Sequence, residues 1–204
     1  MANLMDLLQG QLTEGLVDQL SQQLGGVDKQ QTASAASGIL STLMSAMAKN
    51  AATPEGASAL ANALDNDHDG SILDNIGGIL GGQMQPQNNR ATNGAGILKH
   101  VLGGKQGNAV DMISKMSGLD SGNTGNLMSM LAPMVMGMLG QQKKSQGLDS
   151  GGVADFLSQS VQSATNQRQE MGLIGKFLDQ DGDGSVMDDI AGMGMNILGN
   201  FFKK

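Results

Sequence analysis

The sequence contains no cysteine, no tryptophan and no tyrosine, and it has only three prolines and four phenylalanines among 204 residues. Without cysteine, the chain forms no disulfide bonds and offers neither a thiol nucleophile nor a thiolate ligand for a metal ion. With so few aromatic residues, a core has to be built from Leu, Ile, Val, Met and Ala. The 16 methionines would give such a core an adaptable packing.

Basic residues are scarce as well, since 12 Lys and Arg stand against 19 Asp and Glu, for a net charge of −7. Nucleic-acid binding needs a basic surface, so we expect no nucleic-acid partner. The longest apolar run, LMSMLAPMVMGML at 127–139, is too short to span a bilayer. The N-terminus lacks the basic and apolar regions of a signal peptide. We therefore expect a cytoplasmic protein without a membrane partner.

The spacing of apolar residues predicts an all-α fold of short helices. Leucine recurs at every fourth position from Leu4 to Leu24, and such a stripe drifts by about 40° per repeat around a straight helix. We therefore expect a break near Gly10 or Gly15. A second helix is predicted over 29–49, and a third begins at Thr53 and Pro54. The predicted buried face of the second helix consists of Ile39, Leu40, Leu43, Met44 and Met47.

A three-residue pattern of glycine, apolar residue and aspartate occurs at 26–28, 118–120 and 147–149. Glycine ends a helix in the left-handed conformation, and aspartate accepts hydrogen bonds from the first N–H groups of the next helix. The pattern therefore predicts three corners between helices.

The chain divides into two related modules in this interpretation. Residues 82–94 are polar, lack periodicity and are predicted to be a linker. The segment at 15–28 resembles that at 108–120, and each half continues through further helices to an acidic loop. The predicted modules are 1–81, with its acidic loop at 65–74, and the longer 95–204, with its acidic loop at 179–189.

These two acidic loops, LDNDHDGSILDNI at 64–76 and LDQDGDGSVMDDI at 178–190, are similar to the Ca²⁺ loop of EF-hand proteins. In that loop, Ca²⁺ takes oxygens from positions 1, 3 and 5 and from the carbonyl of position 7, and glycine at position 6 permits the turn. We predict Ca²⁺ ligands at Asp65, Asp67, Asp69 and the Ser71 carbonyl, and at Asp179, Asp181, Asp183 and the Ser185 carbonyl.

Position 12 departs from the EF-hand pattern, because Ile76 and Ile190 stand where that loop has a bidentate Glu. We therefore expect modest affinity unless a further carboxylate contributes, for which Asp189 is the candidate. The second loop is expected to bind more tightly, because Gly182 opens its fourth position and Asp189 adds charge.

A structural alternative explains the acid at position 10. Each loop contains Ser-x-x-Asp before an apolar run, which is typical of a helix start in which the serine caps and the aspartate reaches back. Ser71 and Asp74 would then begin one helix, and Ser185 and Asp188 another. However, three carboxylates within five positions repel one another unless a cation lies among them. That repulsion favours Ca²⁺, and both interpretations stay open.

The segments GAGILKHVLGGKQ, SGLDSGNTGNLMSMLAPMVMGMLG and LDQDGDGSVMDDI resemble the YidB-like family of uncharacterised helical proteins from bacteria. The resemblance covers most of 95–204 and, more weakly, 1–81. It implies a small all-helical module and no established activity.

No combination of nucleophile, base and acid is apparent, so we predict that the protein is not an enzyme. His68 lies at loop position 4, which points away from an ion, and His100 stands alone. We predict a non-enzymatic, Ca²⁺-binding protein that forms a homo-oligomer through the glycine-rich segments 76–82 and 190–199 and the Met-rich run. The alternative is a Ca²⁺ sensor or buffer that presents the Met-rich run 127–139 to a protein target. Core is the commoner role of such a run, and packing against a helix of the same chain is an equal alternative for the glycine-rich segments.

Overall fold

The structure, a computed structural model, describes residues 4–75 and 90–167, which contain α-helices, two short 3₁₀ helices and no strand. The all-α prediction is confirmed. The chain divides into two units, 1–164 and 165–204, and nearly all of the described residues belong to the first. The helices are α1 (Leu4–Gln11), α2 (Glu14–Gln23), α3 (Lys29–Asn50), α4 (Pro54–Asn66), η1 (Ser71–Asn75), α5 (Gly94–Leu102), η2 (Gly103–Lys105), α6 (Gln106–Ser117), α7 (Ser121–Gln146) and α8 (Ser150–Gln167).

The leucine stripe breaks between α1 and α2, as predicted, at a point between the two glycines. Thr13 is the N-cap of α2, and its side chain accepts a hydrogen bond from the Leu16 N–H at 3.3 Å. The break therefore lies at a threonine cap rather than at a glycine. Capping supplies an acceptor to an N–H group that has no partner within the helix.

The three predicted corners are confirmed. The glycine at each has a positive φ, with values of 79° at Gly26, 76° at Gly118 and 62° at Gly147. The aspartate two positions later then accepts a hydrogen bond from an N–H in the first turn of α3, α7 or α8. Thr53 and Pro54 likewise begin α4, with the Thr53 hydroxyl accepting from Gly56 N–H.

The long helices α3 and α7 form the centre of the first unit. The predicted buried face of α3, from Ile39 to Met47, is buried as expected. In α7 all ten residues from Leu131 to Gly140 are buried, so this helix is surrounded on every side over nearly three turns. The Met-rich run 127–139 is therefore largely core. None of the described helices has the length and apolar composition needed to cross a membrane.

Pro133 lies inside α7, which continues through it. Because proline has no N–H, the carbonyl of Ser129 loses its usual helical donor. The first residue of α5, Gly94, packs against that carbonyl so closely that a β-carbon on Gly94 would overlap the Ser129 oxygen. The proline and the glycine together allow the backbones of α5 and α7 to approach each other.

Helices from both sides of the predicted linker pack into this one unit. From the first predicted module, α3 contacts α5, α6 and α7 of the second, and α4 contacts α7. The predicted boundary at 82–94 therefore does not separate two cores among the described residues. The division into two related modules rests on the sequence repeat and stays a prediction.

Candidate functional site

The first acidic loop lies where α4 ends and the chain turns back toward α7. Asp65 is in the last turn of α4, and Asp67 ends that helix with its N–H bonded to the Ala63 carbonyl at 3.0 Å. Gly70 has a φ of 96°, which favours glycine, and Ser71 then begins η1. We call residues 65–71 the acidic segment.

The acidic segment and η1 pack directly against two glycines of α7. A β-carbon on Gly140 would overlap the carbonyl oxygen of His68, and one on Gly137 would lie 2.6 Å from the Cγ2 atom of Ile72. The backbone of the segment is therefore nearly in contact with the backbone of the helix. The backbone contact requires glycine at position 140, and a side chain at position 137 would force the Ile72 side chain to move.

Positive groups of α7 face the carboxylates of the acidic segment. The Nζ atom of Lys143 donates to Oδ1 of Asp65 at 2.6 Å, and its side chain is only 14% exposed, whereas that of Asp65 is 59% exposed. Hydrogen bonds from the Ser71 side chain and backbone lower the pKa of Asp69, and the charge of Lys144 adds to the effect. The protein thus offsets part of the negative charge of this segment itself.

The hydrogen bond to Asp69 also decides how η1 begins. Oδ1 of Asp69 accepts from the Ser71 N–H at 3.0 Å, which is the geometry of a local Asx turn. The sequence predicted Ser71 as the capping residue in the structural alternative, but the carboxylate two positions earlier accepts this bond. The acid three positions after Ser71, Asp74, has no described side chain.

The predicted Ca²⁺ ligands of the first loop lie near one another in the chain, yet they do not converge. Over the ranges 4–75 and 90–167, no group of three acidic or histidine side chains is placed to share a metal ion. Asp65 is bonded to Lys143 and Asp69 to the backbone, so an ion would compete with these partners for the two carboxylates. The predicted ligands of the second loop, Asp179, Asp181, Asp183, Ser185 and Asp189, lie outside the described residues. Ca²⁺ binding stays a prediction.

A cleft of about 770 Å³ lies beside the acidic segment and brings together two residues to which the sequence assigned no role. His68 of the segment and His100 of α5 both line it, although they are 32 positions apart. His68 is only 5% exposed, and burial lowers the pKa of its ring, while the charge of Asp67 opposes that effect. No local sequence signal links these two histidines, because the packing of α4 against its neighbours creates the cleft.

Comparison with known proteins identifies a family and no more. Residues 6–142 match a family described as bacterial protein of unknown function (DUF937). The match covers α1 to most of α7, including the acidic segment and the cleft. No curated protein and no solved structure matches the chain.

Proposed function

The chain belongs to the DUF937 family of bacterial proteins of unknown function, and from this premise we propose that it is a non-enzymatic helical protein that binds Ca²⁺ and associates with copies of itself. The membership agrees with the resemblance to YidB-like proteins and brings no activity with it. What supports the Ca²⁺ proposal is the similarity of the two acidic loops to the EF-hand loop, in which aspartates at positions 1, 3 and 5 precede a glycine.

The observation that carries this proposal is the alternation of three aspartates ahead of a glycine, at 65–70 and again at 179–184. The repulsion among Asp65, Asp67 and Asp69 has to be offset by positive charge, and α7 supplies an ammonium group at 2.6 Å from one of them. A bound Ca²⁺ ion would supply more positive charge and would compete with Lys143 for Asp65. Ion binding would then change how the end of α4 is attached to α7.

Calorimetric titration with Ca²⁺ after EDTA treatment tests the proposal. We expect saturable heat and a higher melting temperature with Ca²⁺ than with EDTA. The variant with Asp65, Asp67 and Asp69 changed to Asn should lose the contribution of the first loop. The variant with Asp181 and Asp183 changed to Asn should lose most of the Ca²⁺-dependent stabilisation, because the second loop is predicted to bind more tightly. A chain that releases no heat and melts at the same temperature in both buffers does not bind Ca²⁺.

A lysine variant tests whether the ion competes for Asp65. In Lys143→Met the ammonium group is gone and the aliphatic stem is largely kept, so Ca²⁺ should bind the first loop more tightly. Lys115→Met is the matched control, because Lys115 is an exposed lysine on α6, away from the acidic segment. Equal Ca²⁺ affinity in both variants would show that the ion does not use Asp65.

The sensor alternative finds no support in the packing. A Ca²⁺ sensor exposes a Met-rich groove when the ion binds. Here Met128, Met134, Met136 and Met138 are all buried, and the helix that carries them is the centre of the core. A sensor would have to expose these buried methionines when the ion binds, and this alternative stays a prediction.

A further inference from the structure

The cleft beside the acidic segment has the size and lining of a small-molecule site. It measures about 770 Å³, within the range of roughly 300–1,000 Å³ that is common for such sites. Its floor consists of three buried apolar side chains, Met47, Ile97 and Met136, together with the buried His68. His68 is therefore the polar group in an otherwise apolar floor.

The ring of His68 lacks one of the hydrogen bonds that a buried imidazole needs. Its Nδ1 atom is inaccessible to solvent and has no hydrogen-bond partner among the described residues. Buried polar groups are nearly always satisfied, and one left without a partner costs about 1–3 kcal/mol. Because the Nδ1 atom is inaccessible in this orientation, a group bound in the cleft would reach it only after a half-turn about the Cβ–Cγ bond, which exchanges the two edges of the ring.

The charges along the cleft balance each other. Arg90 contributes one positive charge at the rim and Asp67 one negative charge. Two further polar residues there serve the protein itself, since Asn50 Nδ2 donates to the Val101 carbonyl at 2.9 Å and Asn93 Oδ1 accepts from Gly96 N–H at 2.9 Å. An ion entering this site would leave water without gaining an excess of opposite charge.

We propose that the cleft binds an uncharged amphipathic small molecule, with its apolar body on Met47, Ile97 and Met136 and its hydroxyl or amide group hydrogen-bonded to the ring of His68. A neutral imidazole offers one donor and one acceptor, and both groups can pair with it. The proposal does not depend on Ca²⁺, so its tests are made in EDTA.

Histidine NMR gives a selective test, because the chain has two histidines and both line the cleft. The protein is titrated with 1-octanol, octanoate and octylamine, which share one chain length and differ in the charge of the head group. We expect 1-octanol to shift the ring signals of His68 and His100 in a saturable manner and to bind most tightly. The proposal would be overturned if octanoate or octylamine bound more tightly than 1-octanol. It would also be overturned if the His68 signals did not change when 1-octanol is added.

Filling the cleft with a larger side chain tests whether 1-octanol binds there. Ala59 is exposed and lines the cleft, whereas its neighbour Ser58 is exposed and lies outside the lining. Ala59→Phe should abolish the response of His68 to 1-octanol, and the control Ser58→Phe should keep it. Equal binding of 1-octanol by the two variants would show that it binds elsewhere.

Replacing the ring separates binding from a merely structural role. His68→Phe should weaken 1-octanol binding, followed at His100, by about three- to tenfold, the equivalent of one hydrogen bond. The melting temperature should stay the same or rise, because a buried nitrogen without a partner is removed. A lower melting temperature with unchanged affinity would contradict the proposed role of His68.

Discussion

Gly125 and Gly140 lie on the same helix, α7, and have different surroundings. A β-carbon on Gly125 would meet no atom within 4 Å, whereas one on Gly140 would overlap the carbonyl oxygen of His68. Gly125 therefore only weakens the helix, as glycine does in any helix interior. Gly140 allows the acidic segment to dock. The identity of the residue is the same, and the neighbour decides its role.

Substitution of these two glycines by alanine should give opposite results. Gly140→Ala is expected to lower the free energy of unfolding by about 2–4 kcal/mol, because the obstacle is a backbone atom that no side-chain rotation can move aside. Gly125→Ala should raise it by up to about 1 kcal/mol. Urea unfolding followed by far-UV circular dichroism measures both, since the chain has no tryptophan to report by fluorescence. Similar losses in both variants would contradict the docking contact.

Asp120, the N-cap of α7, should make stability depend on pH. Its carboxylate accepts a hydrogen bond from Asn123 N–H at 2.9 Å, and this bond lowers the pKa of Asp120 in the folded protein. The ordinary pKa of aspartate is about 3.9, so the stabilisation is complete above that value and is lost as the pH falls through the lowered folded value.

Comparison with Asp120→Asn isolates this effect, because asparagine also caps but does not titrate in this range. At about pH 6 the unmodified protein should melt at a higher temperature than Asp120→Asn. At low pH this difference should disappear. Asp155→Asn, which removes another exposed aspartate from the interior of α8, controls for the change in net charge. A melting-temperature difference that stays constant with pH would refute the prediction.

At the scale of elements, α7 is the helix on which the unit is assembled. It contacts α1, α3, α4, α5, α6 and η1. Its apolar residues do not form a single stripe, because a helix surrounded by others is apolar on every side. The methionines suit this position, since an unbranched and flexible side chain fills the irregular gaps between helices that cross in different directions.

The core role of the Met-rich run can be measured with two methionines. Met128→Ala should cost about 2–5 kcal/mol of stability, because Met128 is fully buried and its truncation leaves a cavity. Met116→Ala is the control and should change the stability by less than about 0.5 kcal/mol, since Met116 is 58% exposed. If Met128→Ala instead altered only the mass of the particle in solution, the run would be an interface.

At the scale of the whole molecule, the described surface offers little for self-association. Among residues 4–73 and 90–164, Met116 is the one large apolar side chain that is exposed. The prediction of a homo-oligomer therefore depends on the glycine-rich segments 76–82 and 190–199, which lie outside the described residues. Several glycines in one short helix cost stability unless close contact with another helix compensates for them.

Light scattering tests this prediction directly. We expect a mass above that of one chain at high micromolar concentration, and we expect Gly192→Leu to reduce the mass while leaving the helix content unchanged. Gly125→Leu is the matched control, because Gly125 has open space around it on a helix of the described unit. A strictly monomeric mass with and without Ca²⁺ would rule out the association.

The sequence by itself determined where helices begin and end. The Thr53 cap, the corners at Gly26 and Gly118 and the buried face of α3 were all predicted correctly, because capping, glycine conformation and helical periodicity involve residues within about four positions of one another. The three aspartates of the acidic segment were equally visible as a local pattern.

Only the tertiary structure decided what those local features contact. Lys143 donates to Asp65, which lies 78 positions away in the sequence. Gly140 packs against the backbone of His68 at a similar separation in the sequence. The cleft exists because α4 and α5, on opposite sides of the predicted linker, pack near each other against α7. A local pattern carries no information on such neighbours, since they are selected by burial of apolar surface over the whole unit rather than by spacing along the chain.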